Sequence, residues 1–261
     1  MTYLPFNLAG KVALVTGGNR GIGLGMARAI AASNGSVAIW GRKADANREA
    51  VEELSKLGSG EVMAWEVDVA DERAVVDATN DTVSKMGRID SCFANAGVGF
   101  GAPNFVDMDT ETWRKNMAVN LDGAFWTLRE SVRHIIERAK AGDPGGSVVG
   151  VASLAAIEGA GRNQAYAATK GGLISMLKGI AVEHARYGIR ANAILPGWIA
   201  TDMTGAAQGS DVFESKVISR VPARRWGTPD DFGGIAVYLA SDASAYQSGT
   251  TLVVDGGYSI F

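Results

Sequence analysis

Short apolar runs alternate along the chain with longer segments in which apolar residues recur at helical spacing. The runs are rich in Val, Ile and Ala, and seven of them are predicted strands: KVALVTG, SVAIW, EVMAWEVDV, IDSCFANAG, GSVVGVAS, IRANAILPG and TLVVDGG. Strands with apolar residues on both faces, separated by helices, are typical of a parallel sheet covered on both sides. The pattern therefore predicts an α/β fold, a doubly wound sandwich with a seven-stranded parallel sheet.

Helical periodicity fills the segments between these strands. The first helix, GIGLGMARAIAASNG, is predicted to end at Asn34 or Gly35. A long amphipathic segment runs from about Asp109 to Ala139, with its charges on one side. The helix over TPDDFGGIAVYLAS begins with a capping signal. Further helices are predicted over DANREAVEELSKLG, DERAVVDATNDTVSKMG and NQAYAATKGGLISMLKGIAVEHARYG.

Composition excludes several classes of protein. A chain of 261 residues that is 47% hydrophobic can bury a large core, and one domain over residues 1–261 is expected. The net charge of −3, without any run of five or six like charges, gives no reason to expect nucleic acid or an anionic membrane as partner. No signal peptide and no apolar run of about 18 residues is visible, so a soluble, cytoplasmic protein is predicted.

The remaining chemistry-bearing residue types give weak signals. Cys92 has no partner for an internal disulfide, which fits a reducing compartment, and its apolar neighbours predict a buried thiol. His134 and His184 have no second ligand at metal-binding spacing, so no metal site is predicted.

The glycine-rich loop TGGNRGIG lies between the first strand and the first helix. Backbone N–H groups at a helix amino terminus can bind a pyrophosphate, although such a glycine turn can also merely let the helix pack on its strand. Its place in the first βαβ unit favours the dinucleotide interpretation. The expected cofactor contacts in this loop are Gly17, Asn19, Arg20, Gly21, Ile22 and Gly23.

The end of the second strand indicates which dinucleotide is bound. Enzymes that use NAD(H) usually have an acidic residue there to accept from the ribose hydroxyls, whereas this chain has Gly41 followed by Arg42 and Lys43. A guanidinium suits a 2′-phosphate, and Arg20 could approach the same ribose. NADP(H) is therefore favoured over NAD(H), with Arg42 as the phosphate contact. The alternative is that Arg42 and Lys43 form a solvated corner.

The pentapeptide YAATK places Tyr166 and Lys170 four residues apart, on one face of a helix, with Ser153 on the preceding segment. A Tyr–Lys pair can be surface decoration. It can also be an acid–base pair. A free tyrosine titrates near 10, so work near neutrality requires about 4 kcal/mol, and a cation about 4 Å away supplies a similar amount.

These motifs together carry a family resemblance. TGGNRGIG, ANAG at 94–97, Asn120 in NLDG, Ser153, Tyr166 with Lys170, and LPGWIATDM occur in this order. The chain resembles the short-chain dehydrogenase/reductase family essentially end to end, and especially its 3-oxoacyl-carrier-protein-reductase-like and gluconate-5-dehydrogenase-like branches. The resemblance implies a Rossmann-type fold and a homotetramer built on segment 109–139 and the Tyr166 helix. Ala94 departs from the family, where a second Asn is common.

The resemblance also implies a role for each catalytic position. Tyr166 would be the general acid in reduction and the base in oxidation, and Lys170 would bind the nicotinamide ribose and lower the phenol pKa. A positive nicotinamide ring would lower that pKa further. Ser153 would hydrogen-bond the substrate oxygen. Asn120 would hold a water that links Lys170 to bulk solvent.

Further cofactor contacts follow from the same resemblance. In the loop that begins with Pro196 and Gly197, the backbone of Ile199 and the hydroxyl of Thr201 would orient the carboxamide. The adenosine half would be met by Asp68 and Val69 at the adenine, and by Asn95, Ala96 and Gly97 on the ribose side.

The function predicted is an NADP(H)-dependent oxidoreductase that interconverts a ketone and a secondary alcohol. The substrate wall is expected from residues 154–162 and from a polar, glycine-containing lid over about 198–219. Trp198 either contacts the substrate or simply packs. The substrate stays open between an acyl thioester, a polyol, a sugar acid and a cyclic ketone. The alternative function is a non-catalytic NADP(H) sensor or scaffold on the same fold.

Overall fold

Seven parallel strands form one sheet in residues 5–261, the part of the chain that the computed structural model describes. The strand order is β3-β2-β1-β4-β5-β6-β7, so the direction of winding reverses between β1 and β4. The predicted sheet is confirmed. Its strands are β1 Val12–Thr16, β2 Ser36–Gly41, β3 Val62–Glu66, β4 Ser91–Ala94, β5 Gly146–Val151, β6 Ile189–Pro196 and β7 Thr251–Val254.

Helices cover both faces of this sheet. Alternate residues of a strand point to opposite faces, and on β2 the side chains of Val37 and Ile39 belong to one core cluster while Ala38 and Trp40 belong to the other. Helices α1, α2 and α8 pack on the first face, and α3, α5 and α6 on the second. The helices are α1 Gly21–Ala32, α2 Ala44–Leu54, α3 Glu72–Met86, α4 Thr110–Met117, α5 Gly123–Lys140, α6 Gln164–Glu183, α7 Asp211–Lys216 and α8 Gly233–Ala240.

The long segment predicted over 109–139 is interrupted. Helix α4 passes into a π-helical turn, Ala118–Asp122, before α5 begins at Gly123. Gly123 lies close to the backbone that follows β3, because a Cβ there would be 2.6 Å from the carbonyl oxygen of Val69. Single π turns inside α-helices are frequent at functional sites. This one contains Asn120.

The end of α1 and the cap before α8 can be compared with the predictions. Helix α1 ends at Ala32, earlier than expected, because Asn34 adopts a left-handed backbone with φ of 66°. The predicted capping signal is confirmed as a reciprocal capping box between Thr228 and Asp231. It opens a short 3₁₀ turn, Pro229–Phe232, that leads into α8.

The winding reversal positions the site. In a doubly wound sheet, ligands bind beyond the carboxyl ends of the strands where the order reverses, here between β1 and β4. The loops that follow β1, β4, β5 and β6 carry the predicted motifs. Within residues 5–261, none of the helices combines the length and apolar character that crossing a membrane requires.

Candidate active site

The loop after β1 has a backbone suited to an anion. Gly17 and Gly21 adopt left-handed conformations, with φ of 64° and 51°. A Cβ at Gly23 would overlap the carbonyl oxygen of Gly17, so the turn closes only with glycine. Helix α1 begins at Gly21 with no side-chain cap and no acidic residue in its first turn. Its first N–H groups and the helix dipole therefore fit a phosphate.

Thr16 joins this loop to the one after β4. Its hydroxyl accepts hydrogen bonds from the backbone N–H of Asn95 and of Ala96, both at 3.0 Å. The Asn95 amide in turn donates to the Thr16 carbonyl at 2.9 Å. Two predicted cofactor residues, Asn95 and Ala96, are thus held beside Gly17. Thr16 had no predicted role, although it begins the glycine motif.

The basic residues expected at the adenosine ribose, Arg20 and Arg42, pair with different carboxylates. Arg42 Nη1 is 3.9 Å from Oδ2 of Asp68, the residue expected at the adenine. Arg20 instead forms a 3.2 Å ion pair with Asp202 in the loop after β6. Both pairs are exposed, so each contributes little to stability and can open for a ligand. Asp202 is a contact that the sequence did not indicate.

Asn47 on α2 is a second contact absent from the sequence predictions. Its side-chain Oδ1 accepts from Asn19 Nδ2 at 2.7 Å. Its Nδ2 donates to the carbonyl oxygens of Gly41 at 2.9 Å and Trp65 at 3.0 Å. The glycine loop is thereby tied to the ends of β2 and β3.

The catalytic residues predicted from YAATK come together beyond the end of β5. Ser153 caps a 3₁₀ turn, Leu154–Ala156, and its hydroxyl hydrogen-bonds Tyr166. Tyr166 lies in the first turn of α6. Lys170, one turn later, has its Nζ 5.5 Å from the centroid of the Tyr166 ring and donates to the carbonyl of Val151 at 2.8 Å.

Asn120 and Gly97 complete this cluster. A Cβ at Gly97 would lie 3.3 Å from Asn120 Oδ1 and 3.5 Å from Lys170 Nζ, so the three positions adjoin. The Asn120 amide is engaged by Val98, accepting from its N–H and donating to its carbonyl, both at 2.8 Å. These two bonds use one of the two N–H donors and one of the two oxygen lone pairs of the amide, so the side chain can still meet the predicted water. That role stays a prediction.

Burial shifts the pKa of both ionisable catalytic groups. It lowers the pKa of Lys170 to about 8. It raises the pKa of Tyr166 above its ordinary value, and the hydrogen bond from Ser153 opposes this only in part. As far as the protein's own groups are concerned, the phenol pKa is raised, and desolvation is the largest cause. The lowering of this pKa by Lys170 and by a bound positive nicotinamide stays a prediction.

The loop after β6 lies against the glycine loop. A Cβ at Gly21 would be 3.5 Å from Cγ2 of Thr201, which places Thr201 beside the start of α1. Ile199 is buried and pairs with Gly227 in an isolated bridge. A Cβ at Gly197 would lie 2.6 Å from Cβ of Asp255, so the backbone after Pro196 passes close to the end of β7.

The segment 198–219 is more structured than its composition suggested. It contains α7 and two 3₁₀ turns, Asp202–Thr204 and Ile218–Arg220. Trp198 packs edge to face against Phe213 of α7, with ring centroids 4.8 Å apart, and also meets Trp226 and Tyr258. Trp198 therefore packs within an aromatic cluster at the base of this segment. Contact between Trp198 and a substrate stays a prediction.

Cys92 and His134, which were given no catalytic role from the sequence, have surroundings typical of structural residues. Cys92 is a buried thiol, as predicted, and burial raises its pKa to about 12. His134 Nε2 accepts from the backbone N–H of Ile89 at 3.1 Å. Across residues 5–261 there is no group of three or more His, Cys, Asp or Glu that could hold a metal ion.

Comparisons with known proteins agree with this arrangement. The family model described as Enoyl-(Acyl carrier protein) reductase matches residues 17–259. The 3-oxoacyl-acyl-carrier-protein reductase FabG of Chlamydia pneumoniae is 36% identical over 255 residues, covering 97% of this chain and 99% of that protein. Gluconate 5-dehydrogenase of Gluconobacter oxydans is 33% identical over 255 residues, covering 98% of this chain and 97% of that protein. A crystal structure of a gluconate 5-dehydrogenase from Burkholderia cenocepacia J2315 in complex with NADP and tartrate matches with a TM-score of 0.90 at 33% identity, covering 98% of this chain and 97% of that one.

Proposed function

The chain belongs to the short-chain dehydrogenase/reductase family, and on that premise we propose that it is an NADP(H)-dependent enzyme that interconverts a ketone and a secondary alcohol. One observation carries the proposal. Ser153, Tyr166 and Lys170 meet beyond the end of β5, beside Gly97 and across from an uncapped helix N-terminus. A phenol, a hydroxyl and an ammonium beside a dinucleotide cleft can transfer the proton and orient the substrate while a cofactor transfers the hydride.

A bound nicotinamide dinucleotide would supply or accept the hydride. The chain's own residues handle the proton and the orientation of the substrate. Ser153 donates to the substrate oxygen, and the hydroxyl of Tyr166 gives its proton to that oxygen in reduction and takes it back in oxidation. Lys170, fixed by its hydrogen bond to Val151, has its charge beside the Tyr166 ring and would bind the ribose of a nicotinamide cofactor. Asn120 holds the loop at Val98 against the cluster.

The preference for NADP(H) rests on the end of β2. Gly41 offers no acidic side chain to the adenosine ribose, and Arg42 follows it on the surface. Arg20 lies in the glycine loop and can contribute once its exposed pair with Asp202 opens. NADP is bound in the similar gluconate 5-dehydrogenase from Burkholderia cenocepacia, which supports the same cofactor here.

The names of the relatives suggest two candidate substrate classes. One similar protein is named for a 3-oxoacyl thioester and another for gluconate. Apolar side chains flank the entrance: a Cβ at Gly99 would lie 3.8 Å from the sulfur of Met203, and the neighbouring Phe100 is 43% exposed. We propose that segment 198–219 is the lid that closes over this substrate, with its aromatic cluster as the fixed base.

The proposal is tested by NADPH oxidation against a panel of ketoesters, acyl thioesters, keto-sugar acids and cyclic diketones. The wild-type protein should turn over at least one class, and Tyr166→Phe should lose about 100-fold or more in kcat while binding NADPH as tightly as the wild type. NADPH binding without turnover on any class would instead favour the sensor alternative, although the relatives named above are reductases or dehydrogenases. Substantial kcat in Tyr166→Phe would refute the role of the phenol.

Self-association is proposed on separate grounds. Helices α4, α5 and α6 leave large apolar side chains exposed, namely Trp113, Phe125 and Val182. Exposed apolar side chains on these three helices favour an interface between copies of the chain. A homotetramer is the proposed assembly, and light scattering of the purified protein tests it, because a monomer at micromolar concentration would exclude it.

A further inference from the structure

A pair of asparagine amides fills the space where an acidic residue would read an unphosphorylated ribose. A Cβ added to Gly41 would overlap both Asn19 Nδ2 and Asn47 Oδ1. The two amides are bonded to each other at 2.7 Å. The lack of a side chain at the end of β2 is therefore a steric requirement of this pair, and the pair itself faces the ribose position of the fold.

The orientation of Asn47 is fixed by its other contacts. Both protons of Nδ2 are donated, one to the carbonyl of Gly41 at 2.9 Å and one to the carbonyl of Trp65 at 3.0 Å. A carbonyl oxygen cannot donate, so the oxygen of the amide must face Asn19. Asn47 is only 5% exposed, which keeps these three bonds out of competition with water.

This arrangement changes the electrostatics at the end of the sheet. The carbonyl oxygens of Gly41, which ends β2, and of Trp65, one residue before the end of β3, are acceptors, and the Gly41 carbonyl also accepts from the N–H of Val67 at 3.2 Å. A carbonyl oxygen left without a donor near a phosphate would repel it. Asn47 caps one at each strand. It also uses only one N–H of Asn19, which leaves the second N–H of that amide as a donor in the glycine loop next to Arg20. Hydrogen-bond donors attract a phosphate dianion, which can only accept. A ribose hydroxyl can bind either a donor or an acceptor.

We propose that Asn47 is a positioning residue for cofactor choice: by holding Asn19 against the end of β2 and capping the carbonyls of Gly41 and Trp65, it makes the site favour a 2′-phosphorylated dinucleotide over an unphosphorylated one. Asn47 acts through Asn19 and need not touch the ligand. The inference rests on the proposed dinucleotide site and adds to it a residue on α2, outside every motif of the family resemblance.

The test measures dissociation constants rather than turnover. NADPH and NADH are titrated into the full-length wild-type protein and into Asn47→Ala, Asn19→Ala and the double variant, following nicotinamide fluorescence. Each single variant should lose about 5-fold to 10-fold in affinity for NADPH and no more than about 2-fold for NADH, the effect of losing one hydrogen bond to a positioned donor. The double variant should bind NADPH as tightly as whichever single variant binds it less tightly, because the two residues act as one unit.

Arg48→Ala is the matched control. Arg48 is the next residue on α2 and its side chain pairs with Asp45 at the surface, so both affinities should stay at the wild-type values. If Asn47→Ala does not fold, Asn19→Ala still tests the link, since it leaves the bonds from Asn47 to the two strands intact.

Several outcomes would overturn the inference while leaving the enzyme proposal standing. An unchanged ratio of NADPH to NADH affinity in both single variants would do so, as would losses that add in the double variant. A wild-type protein that prefers NADH would overturn both the inference and the NADP(H) preference in the proposed function. Failure of the wild-type protein to bind either dinucleotide would instead remove the proposed function, and the inference with it.

Discussion

The ammonium nitrogen of Lys170 donates to the carbonyl oxygen of Val151 at a distance of 2.8 Å, inside the core. Lys170 is 4% exposed, and within residues 5–261 it has no ion-pair partner. Burial lowers its pKa to about 8, so at neutral pH the folded protein holds an unpaired buried charge. The group placed for chemistry therefore weakens the fold.

Lys170→Met should stabilise the protein and inactivate it. The pKa falls from 10.5, the ordinary value for a lysine side chain, to about 8, which corresponds to roughly 3 kcal/mol of folding free energy at pH 7. Because the hydrogen bond to Val151 is lost as well, a gain of about 1–3 kcal/mol is expected. Urea denaturation at pH 7 measures it, and a less stable variant would contradict it.

The same shift gives a pH dependence with a definite sign. Between pH 8 and about 10.5 the unfolded chain binds more protons at this lysine than the folded protein does, so stability rises with pH across that window. The advantage of Lys170→Met should shrink over the same range. Denaturation curves at about pH 7 and about pH 9.5 would show this, and equal differences at both values would count against it.

Alcohol oxidation should rise with pH into the alkaline range, while ketone reduction stays level through neutrality. The pKa of Tyr166 is raised by burial, oxidation needs the phenolate and reduction needs the phenol. Profiles of kcat/KM in both directions from about pH 6 to about pH 10 test the prediction. An oxidation profile already flat at the acid end would mean that the bound nicotinamide outweighs burial.

Stability should fall in mild acid because of His134. Its Nε2 accepts from the backbone N–H of Ile89, and burial lowers its pKa, with Arg138 adding to the effect. The neutral ring is therefore favoured by folding, and its contribution is present above about pH 6.5 and is lost as pH falls further. His134→Gln, whose amide oxygen can accept at any pH, should show a smaller loss of stability between about pH 7.5 and about pH 5.5. Identical losses would refute the prediction.

Two helical glycines should respond in opposite ways to alanine. In α1, a Cβ at Gly25 would overlap the backbone carbonyl of Pro229, so Gly25→Ala should cost more than about 2 kcal/mol of unfolding free energy. In α6, Gly179 has open space around it, so Gly179→Ala should gain about 0.5–1 kcal/mol. Thermal unfolding of the two variants side by side measures both, and a neutral Gly25→Ala would show that α1 can move away from Pro229.

Arg42→Ala should lower the ratio of kcat/KM for NADP⁺ over NAD⁺ by about 10-fold, the effect of losing a charged hydrogen bond to a 2′-phosphate. Arg42 is exposed and its ion pair with Asp68 is 3.9 Å long, so the fold should be unaffected. An unchanged ratio would favour the alternative that Arg42 is a solvated surface residue without a role in cofactor binding.

The strands and the meeting of Tyr166 with Lys170 on one helix face were predictable because they are local. Each strand is a continuous apolar run, and the spacing from Tyr166 to Lys170 follows from helix geometry. The predicted lowering of the Tyr166 pKa considered only charges, whereas desolvation raises this pKa in the folded protein. Burial is a property of the whole fold.

The contacts that were missed are tertiary. Asn47 meets Asn19 and Gly41 only once α2 has packed on the sheet, and an asparagine in a helix carries no signal of that. Likewise, Asp202 and Arg20 are 182 positions apart in the chain. The π turn at Ala118–Asp122 was missed for a different reason, since one extra residue barely alters the apolar pattern of a long amphipathic segment.

That extra residue acts as a phase shift within a nearly continuous helix. One residue corresponds to roughly 100° of rotation about the axis, so α4 can turn toward α6 while α5 turns toward α3 and β4. A single-residue deletion in the turn would restore a regular helix. Either α4 or α5 would then be rotated away from the helices and strands that it packs against. Asn120 would rotate with it, which makes this turn a place where sequence length is constrained more tightly than sequence identity.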